Sequence, residues 1–290
     1  MMIKKRKTVK DIITQIENSI QNPNNIAGLS AMLYQENSKL SKFAMIKQGE
    51  NIGKFSNPYI LQRASQPYKC FPTCEIIPME EYENANSPDV NLFDTIRKRR
   101  SIRDYENYSI SVNELYHLLQ YSYGITSRQP IKGAEGTWSY RAVPSGGALY
   151  PLEVYVYINN SVLDKGMYHY RPDLNALEII DKKDHMQVLR DYIVAEPFVN
   201  LPASSCVIFI SSVSERVLLK YGERGYKFLL QEVGFVSQNI SLICSAINLG
   251  SCMVGSYVDN KVNELIKADG ILETIQGIII IGKEKAHVVS

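Results

Sequence analysis

The sequence predicts an α+β fold, with helices packed around a mixed or mostly antiparallel sheet, from three observations. Segment 152–158, "LEVYVYI", alternates Leu152, Val154, Val156 and Ile158 with Glu153, Tyr155 and Tyr157, which is the period of a strand. Two further runs, "SCVIFIS" at 205–211 and "QGIIIIG" at 276–282, hardly alternate and predict strands buried on both faces. Between them lies the longest helical pattern, from about Tyr226 to Leu249, with Leu229, Val233, Val236, Ile240, Ile243 and Ile247 at four-three spacing.

Composition bounds the function classes. A chain of 290 residues suits one large domain, or one domain with an appendage. With 45% apolar and 21% charged residues and a net charge of +2, nothing points to nucleic acid or a charged membrane surface. The cysteines (Cys70, Cys74, Cys206, Cys244, Cys252) are odd in number and mostly sit in apolar runs, as reduced thiols of a cytoplasmic protein do. Cys70 and Cys74 have no second pair or nearby His, and His117, His169, His185 and His287 are scattered, so no metal site is expected. The basic N-terminus lacks a secretory signal's apolar core, and no apolar run is long enough to span a bilayer.

Along the chain, residues 1–90 are expected to form an arm with short helices. One amphipathic stretch (Val9, Ile12, Ile13, Ile16, Ile20) gives way to Asn, Gln, Ser and Pro, and residues 91–290 form the main domain. A helix is predicted to open at "SPDVNLFDTIRKRR", with Ser87 as cap and Pro88 in the first helical position. The next, "SVNELYHLLQYSYG", has a capping box at Ser111 and Glu114 and a stop at Gly124. "GMYHYRPDLNALEII" predicts a hairpin turning at Pro172–Asn175. Beside the apolar stripe of the long helix runs a line of small residues, Gly234, Ser237, Ser241 and Ser245, which suits either a tight internal contact or a dimer interface.

The chemistry-bearing segments are three. No G-x-G-x-x-G, P-loop lysine or G-x-S-x-G elbow is present. In "RKRRSIRDY" (97–105), Arg99, Ser101 and Arg103 alternate; they are either solvated cations at a helix end or two guanidiniums and a hydroxyl clamping a phosphate. In "PSGGA" (144–148), the bare backbone is either an ordinary turn or a surface for an anion or an aromatic ring. In "KYGERGY" (220–226), Lys220 and Tyr221 precede two glycines; they are either a solvated Lys beside a half-buried Tyr or a pair supplying a base, as an amine of lowered pKa or a phenolate.

Taken in order, these segments resemble the nitroreductase superfamily, and more narrowly the SagB/McbC-type dehydrogenases that oxidise azoline rings in ribosomally made peptides. The matching segments are "RKRRSIRDY", "RAVPSGGALYPLEVYVY" with "GMYHYRPDLNALE", and "KYGERGYKFLLQEVGFVSQNISLICSAINLG", covering about residues 91–282. In the arm, "LYQENSKL" resembles an N-terminal element of that branch, with Gln35 where His is common. The resemblance implies a homodimer with FMN at the subunit interface. It places Arg99, Ser101 and Arg103 on the FMN phosphate and ribityl chain, and Ser145, Gly146, Gly147 and Ala148 along the flavin ring. Gly255 and Ser256 fall near flavin N5, and Lys283 or Lys285 adds a phosphate contact. Lys220 and Tyr221 match the catalytic pair, and the implied partners are an azoline-containing precursor peptide and a cyclodehydratase. Two other functions remain in view: a general NAD(P)H-dependent nitroreductase or enone reductase, and a non-catalytic FMN-containing scaffold of a peptide-modification complex.

Overall fold

The structure is a computed structural model describing residues 29–82 and 88–286. Contacts divide the chain into two compact units, Met1–Gly49 and Glu50–Ser290. In the first, the described residues form helix α1 (Leu29–Asn37), which includes Gln35, and the start of α2 (Lys42–Lys54). The stretch from Val9 to Ile20 and the cap at Ser87 lie outside the described residues.

The second unit is built on one antiparallel sheet. Its strands are β1 (Ile76–Pro78), β2 (Tyr105–Glu106), β5 (Leu152–Ile158), β6 (Gly166–Arg171), β7 (Ala176–Asp181), β8 (Cys206–Val213), β9 (Gly250–Val254) and β10 (Glu273–Glu284). They are ordered β1-β7-β6-β5-β8-β10-β2, with β9 also pairing with β10. A separate hairpin joins β3 (Ile125–Pro130) to β4 (Thr137–Arg141). The predicted turn between β6 and β7 is present, with Asn175 at φ 46°, a left-handed conformation that Asn tolerates.

Strand β5 is buried at every position, so its alternation separates two cores rather than a core from solvent. Leu152, Val154, Val156 and Ile158 pack with α5 (Val112–Tyr123) and α8 (Arg224–Ala246). Tyr155 and Tyr157 face the other core, with α6 (Met186–Tyr192) and α9 (Asp259–Leu265). The isoleucines of β10 divide the same way, Ile279 and Ile281 to one side and Ile278 and Ile280 to the other. Each such side chain removed from water contributes about 2 kcal/mol.

The polar residues of the two-sided sheet pair internally. His169 lies between two carboxylates, its Nε2 3.0 Å from Glu153 and its Nδ1 2.8 Å from Glu178. Burial pushes Glu153 up, but Arg216 and His169 outweigh it and hold the carboxyl at about 2. Burial would lower His169, yet its two carboxylate partners raise it. Backbone N–H groups of the 66–71 segment join this network, Lys69 donating to Glu153 and Phe71 to Glu178. The segment is thereby fixed across the sheet.

Helix boundaries follow caps. Helix α4 (Leu92–Lys98) begins later than the sequence suggests, because Asn91 accepts from the N–H groups of Phe93 and Asp94. Pro88 and Asp89 therefore precede the helix. Helix α5 has the expected capping box, Ser111 and Glu114 exchanging side-chain and backbone bonds, and ends at Gly124. Ser111→Ala is expected to lower unfolding free energy by about 1 kcal/mol, read as a shift in urea midpoint at constant slope.

Candidate functional site

The register of β5 on β8 assembles the first part of the site. Leu152 lies opposite Ser212, and the Val213 N–H donates to the Pro151 carbonyl at 2.7 Å. The segment leading into β5 and the helix leaving β8 therefore meet at one end of the sheet. That helix, α7 (Glu215–Tyr221), is pinned in its first turn: Arg216 pairs with buried Glu153 and donates to the Tyr150 carbonyl at 3.2 Å.

At the other end of α7, Lys220 and Tyr221 both reach the glycine turn. Residues 146–148 form one 3-10 turn in which Gly147 has φ 67°. A Cβ on Gly147 would lie 2.5 Å from the Tyr221 hydroxyl and 2.9 Å from the Lys220 ammonium, while one on Gly146 would sit 3.2 Å from Phe228. Bareness here is required twice, by the left-handed backbone and by the Lys–Tyr tips. Although adjacent in sequence, the two side chains converge at the last turn of α7, which Gly222, at φ 56°, ends.

Burial moves the pair in opposite directions. It lowers the Lys220 pKa and raises that of Tyr221. The phenolate envisaged from the sequence is thus disfavoured, and the neutral amine is the accessible base. Lys220 lies over the Phe55 ring at 4.8 Å, and Tyr221 meets Phe228 edge-on at 5.1 Å.

Beneath the turn is a carboxyl that sequence inspection missed. Glu232, in the middle of α8, is 1% exposed. It accepts from the Tyr123 hydroxyl at 2.9 Å and bonds to the Ser145 side chain. Burial raises its pKa to about 7 despite those bonds. Ser145 in turn accepts from the Tyr150 N–H at 2.9 Å, so the acid props both ends of the turn. Buried Arg141 stacks nearby on Tyr123 and Tyr150, at 4.3 and 5.0 Å. The signal for Glu232 was a charge in the apolar stripe, between Leu229 and Val233.

The second part of the site lies elsewhere on the chain. Ser101 bridges Ser251 of β9, and the Ile102 N–H donates to the Ser251 carbonyl at 3.0 Å. Ser101 and Arg103 sit side by side, the guanidinium donating to the Ser101 carbonyl at 3.3 Å, and Arg103 also bonds the Cys252 thiol. Alternate residues Lys98, Arg100 and Ile102 line a cavity of 390 Å³ with Ser241, Ser245, Ser251, Lys283 and Lys285. Its excess of cations over Glu284, together with the three hydroxyls, suits a phosphate. Arg100 was missed from the sequence because its alternation partner, Lys98, belongs to the preceding helix. Gly255 and Ser256 follow β9 at its far end, roughly 13 to 16 Å from Ser251 at a strand's rise.

The two parts are not joined within one chain by any hydrogen bond or ion pair among the described residues. The glycine turn contacts α8 at Phe228, whereas the basic cavity meets it at Ser241 and Ser245, roughly 20 to 25 Å along the axis.

The sequence profile of the nitroreductase family matches residues 96–283. This chain belongs to the nitroreductase family. It is 32% identical over 180 residues to protein MJ1384 of Methanocaldococcus jannaschii, named as a nitroreductase, covering 62% of this chain and 85% of that protein. It is 31% identical over 140 residues to the microcin B17-processing protein McbC of Escherichia coli, covering 44% of this chain and 49% of that protein. Among solved structures, a protein of Anabaena variabilis named as a nitroreductase superposes with a TM-score of 0.66 at 23% identity, covering 87% of this chain and 45% of that one. The nitroreductase fold expected from the motifs is thereby borne out, and the similarity to McbC agrees with the branch the motifs resemble.

Glu232 generates a pH test. The unfolded carboxyl ionises near 4.5 and the folded one near 7, so this nitroreductase-family protein loses stability as pH rises between those values. Glu232→Gln is expected to flatten that slope and to gain on the order of 3 kcal/mol relative to the parent above pH 7.5, measured by urea unfolding across pH 4.5–8.5.

Proposed function

We propose that this chain is an FMN-dependent peptide azoline dehydrogenase that works as a homodimer in the cytoplasm. Its substrate is a precursor peptide cyclised by a partner enzyme. The observation that carries the reading is the convergence of Lys220 and Tyr221 on the bare backbone of Gly147. A candidate proton acceptor is there held against exposed, bare backbone. The similarity to McbC, a peptide-processing protein, supports the same reading.

The residues fit the cofactor. The cavity of Lys98, Arg100, Lys283 and Lys285 suits its phosphate, whereas Arg99, Ser101 and Arg103 alternate with its lining residues and do not line it. Gly255 and Ser256 present unshielded backbone one strand-length away, and Ser145, Gly146, Gly147 and Ala148 form a second turn poor in side chains. Because these two sets lie at opposite ends of α8, a second copy of the chain completes the site. The apolar face of α8 left open supports this: Leu230 and Phe235 are 44% and 43% exposed, and nothing lies within 4 Å of a Cβ built on Gly234. Non-polar area of this kind is what a dimer buries.

Aromatising an azoline removes two hydrogens from adjacent ring carbons, one as hydride and one as proton. Bound FMN supplies the acceptor for the hydride. Lys220, whose pKa burial lowers from the ordinary lysine value, takes the proton from the ring carbon in its neutral form. Tyr221 stays protonated and donates a hydrogen bond that orients the ring or the amine. Phe228 and Phe55 pack against the pair and remove part of its surface from water.

Lys220→Met is expected to lower azole formation 10²-fold or more, with FMN content unchanged, scored by mass spectrometry as loss of two hydrogens. In the parent the rate should rise with pH through a midpoint below the ordinary lysine value of 10.5, and this limb should vanish in the variant. A Lys220→Met, Tyr221→Phe double variant that keeps FMN and the parental rate would overturn the assignment. Rapid bleaching of the flavin by NAD(P)H without azoline oxidation would favour a general nitroreductase.

A further inference from the structure

A second cavity, of 530 Å³, adjoins the Lys–Tyr pair and is not used by the chemistry above. One wall is the segment Lys54–Tyr68, including α3 (Pro58–Ala64); the other is Leu149, Val213 and the outer face of α7. It shares two walls with the reaction centre. Phe55 lines it and carries the Lys220 ammonium on its ring, and Leu149 lies two residues beyond Gly147. Whatever occupies the cavity therefore lies beside the group that takes the proton.

The lining says what that occupant is. Phe55, Tyr59, Ile60 and Leu219 give an aromatic and aliphatic interior, with Tyr59 and Leu219 75% and 67% exposed at the mouth. The charges are Lys54, Arg63 and Arg216 against Glu215. Arg216 is committed to Glu153, and Lys54 donates to Asn51 at 2.9 Å. Arg63 is exposed and makes no ion pair among the described residues. The volume is that of a small-ligand site, and an exposed guanidinium beside a tyrosine is a common anchoring pair for peptide side chains.

We infer that this cavity holds the peptide segment flanking the ring to be oxidised, taking a large apolar or aromatic side chain inside and an acidic residue at Arg63. The inference rests on the peptide reading above and adds which peptides are preferred. Charge complementarity selects the acidic residue: the rim is net positive, so a lysine at that position would meet like charge.

The test separates binding from chemistry. Two uncyclised hexapeptides, one with Phe-Asp and one with Phe-Lys beside the cysteine, are titrated into FMN-loaded protein by calorimetry. The Phe-Asp peptide is expected to bind about tenfold tighter, and Arg63→Glu, an exposed change checked by thermal melting, should reverse the order. Tyr59→Ala should weaken both peptides, since it removes the apolar contact they share. Equal affinities in the parent, or a preference untouched by Arg63→Glu, would overturn the assignment. The corresponding azoline peptides are then assayed for oxidation. Selective binding without oxidation would sink the azoline reading and leave the cavity assigned. Oxidation without discrimination between the acidic and basic peptides would do the reverse.

Discussion

The pairing of β5 with β8 is the constraint on which the rest depends. Both strands are buried on both faces, so their register is enforced by two cores at once, and a one-residue slip would exchange every side chain between them. With Leu152 opposite Ser212, the chain enters β5 where it leaves β8. A glycine turn about seventy residues upstream of α7 is thereby delivered to the tips of Lys220 and Tyr221.

A sheet buried on both sides must satisfy its own polar groups, and here that need also positions the site. Glu153 bonds to His169 on one strand, to Arg216 at the start of α7, and to the backbone of the 66–71 segment. Removing one member would leave a buried charge uncompensated, which costs more than the pair itself contributes. The same carboxylate thus fixes the helix that bears the Lys–Tyr pair and the segment that walls the adjoining cavity. On the opposite side, Glu232 and Tyr123 support the turn from beneath, Tyr123 also accepting from the Leu152 N–H at 3.1 Å.

Burial, rather than an opposing charge, sets the titration of the Lys220–Tyr221 pair. No carboxylate pairs with Lys220 among the described residues, and the phenyl ring of Phe55 is its neighbour instead. Desolvation therefore acts alone, keeping the amine neutral at a lower pH and the phenol protonated at a higher one. An amine that loses its proton more easily and a phenol that loses its proton less easily coexist at one glycine, because burial disfavours the charged form of each.

The sequence by itself determined the elements and their chemistry. Period-two apolar patterns, the Ser111–Glu114 box, the turn at Asn175 and the motifs around Arg99, Gly146 and Lys220 are all local signals, legible within a few residues. What lay beyond it were facts set by strand register and helix packing between residues far apart in the chain. Only the tertiary structure showed that Gly147 is bare against Lys220 and Tyr221, and that Arg100 rather than Arg99 shares a cavity with Lys283 and Lys285. It also decided that Glu232 is a buried acid, that α4 waits for the Asn91 cap, and that the glycine turn and the arginine segment sit at opposite ends of α8. Each of these depends on which side chains burial brings together, and a linear pattern records which residues are apolar without recording whom they meet.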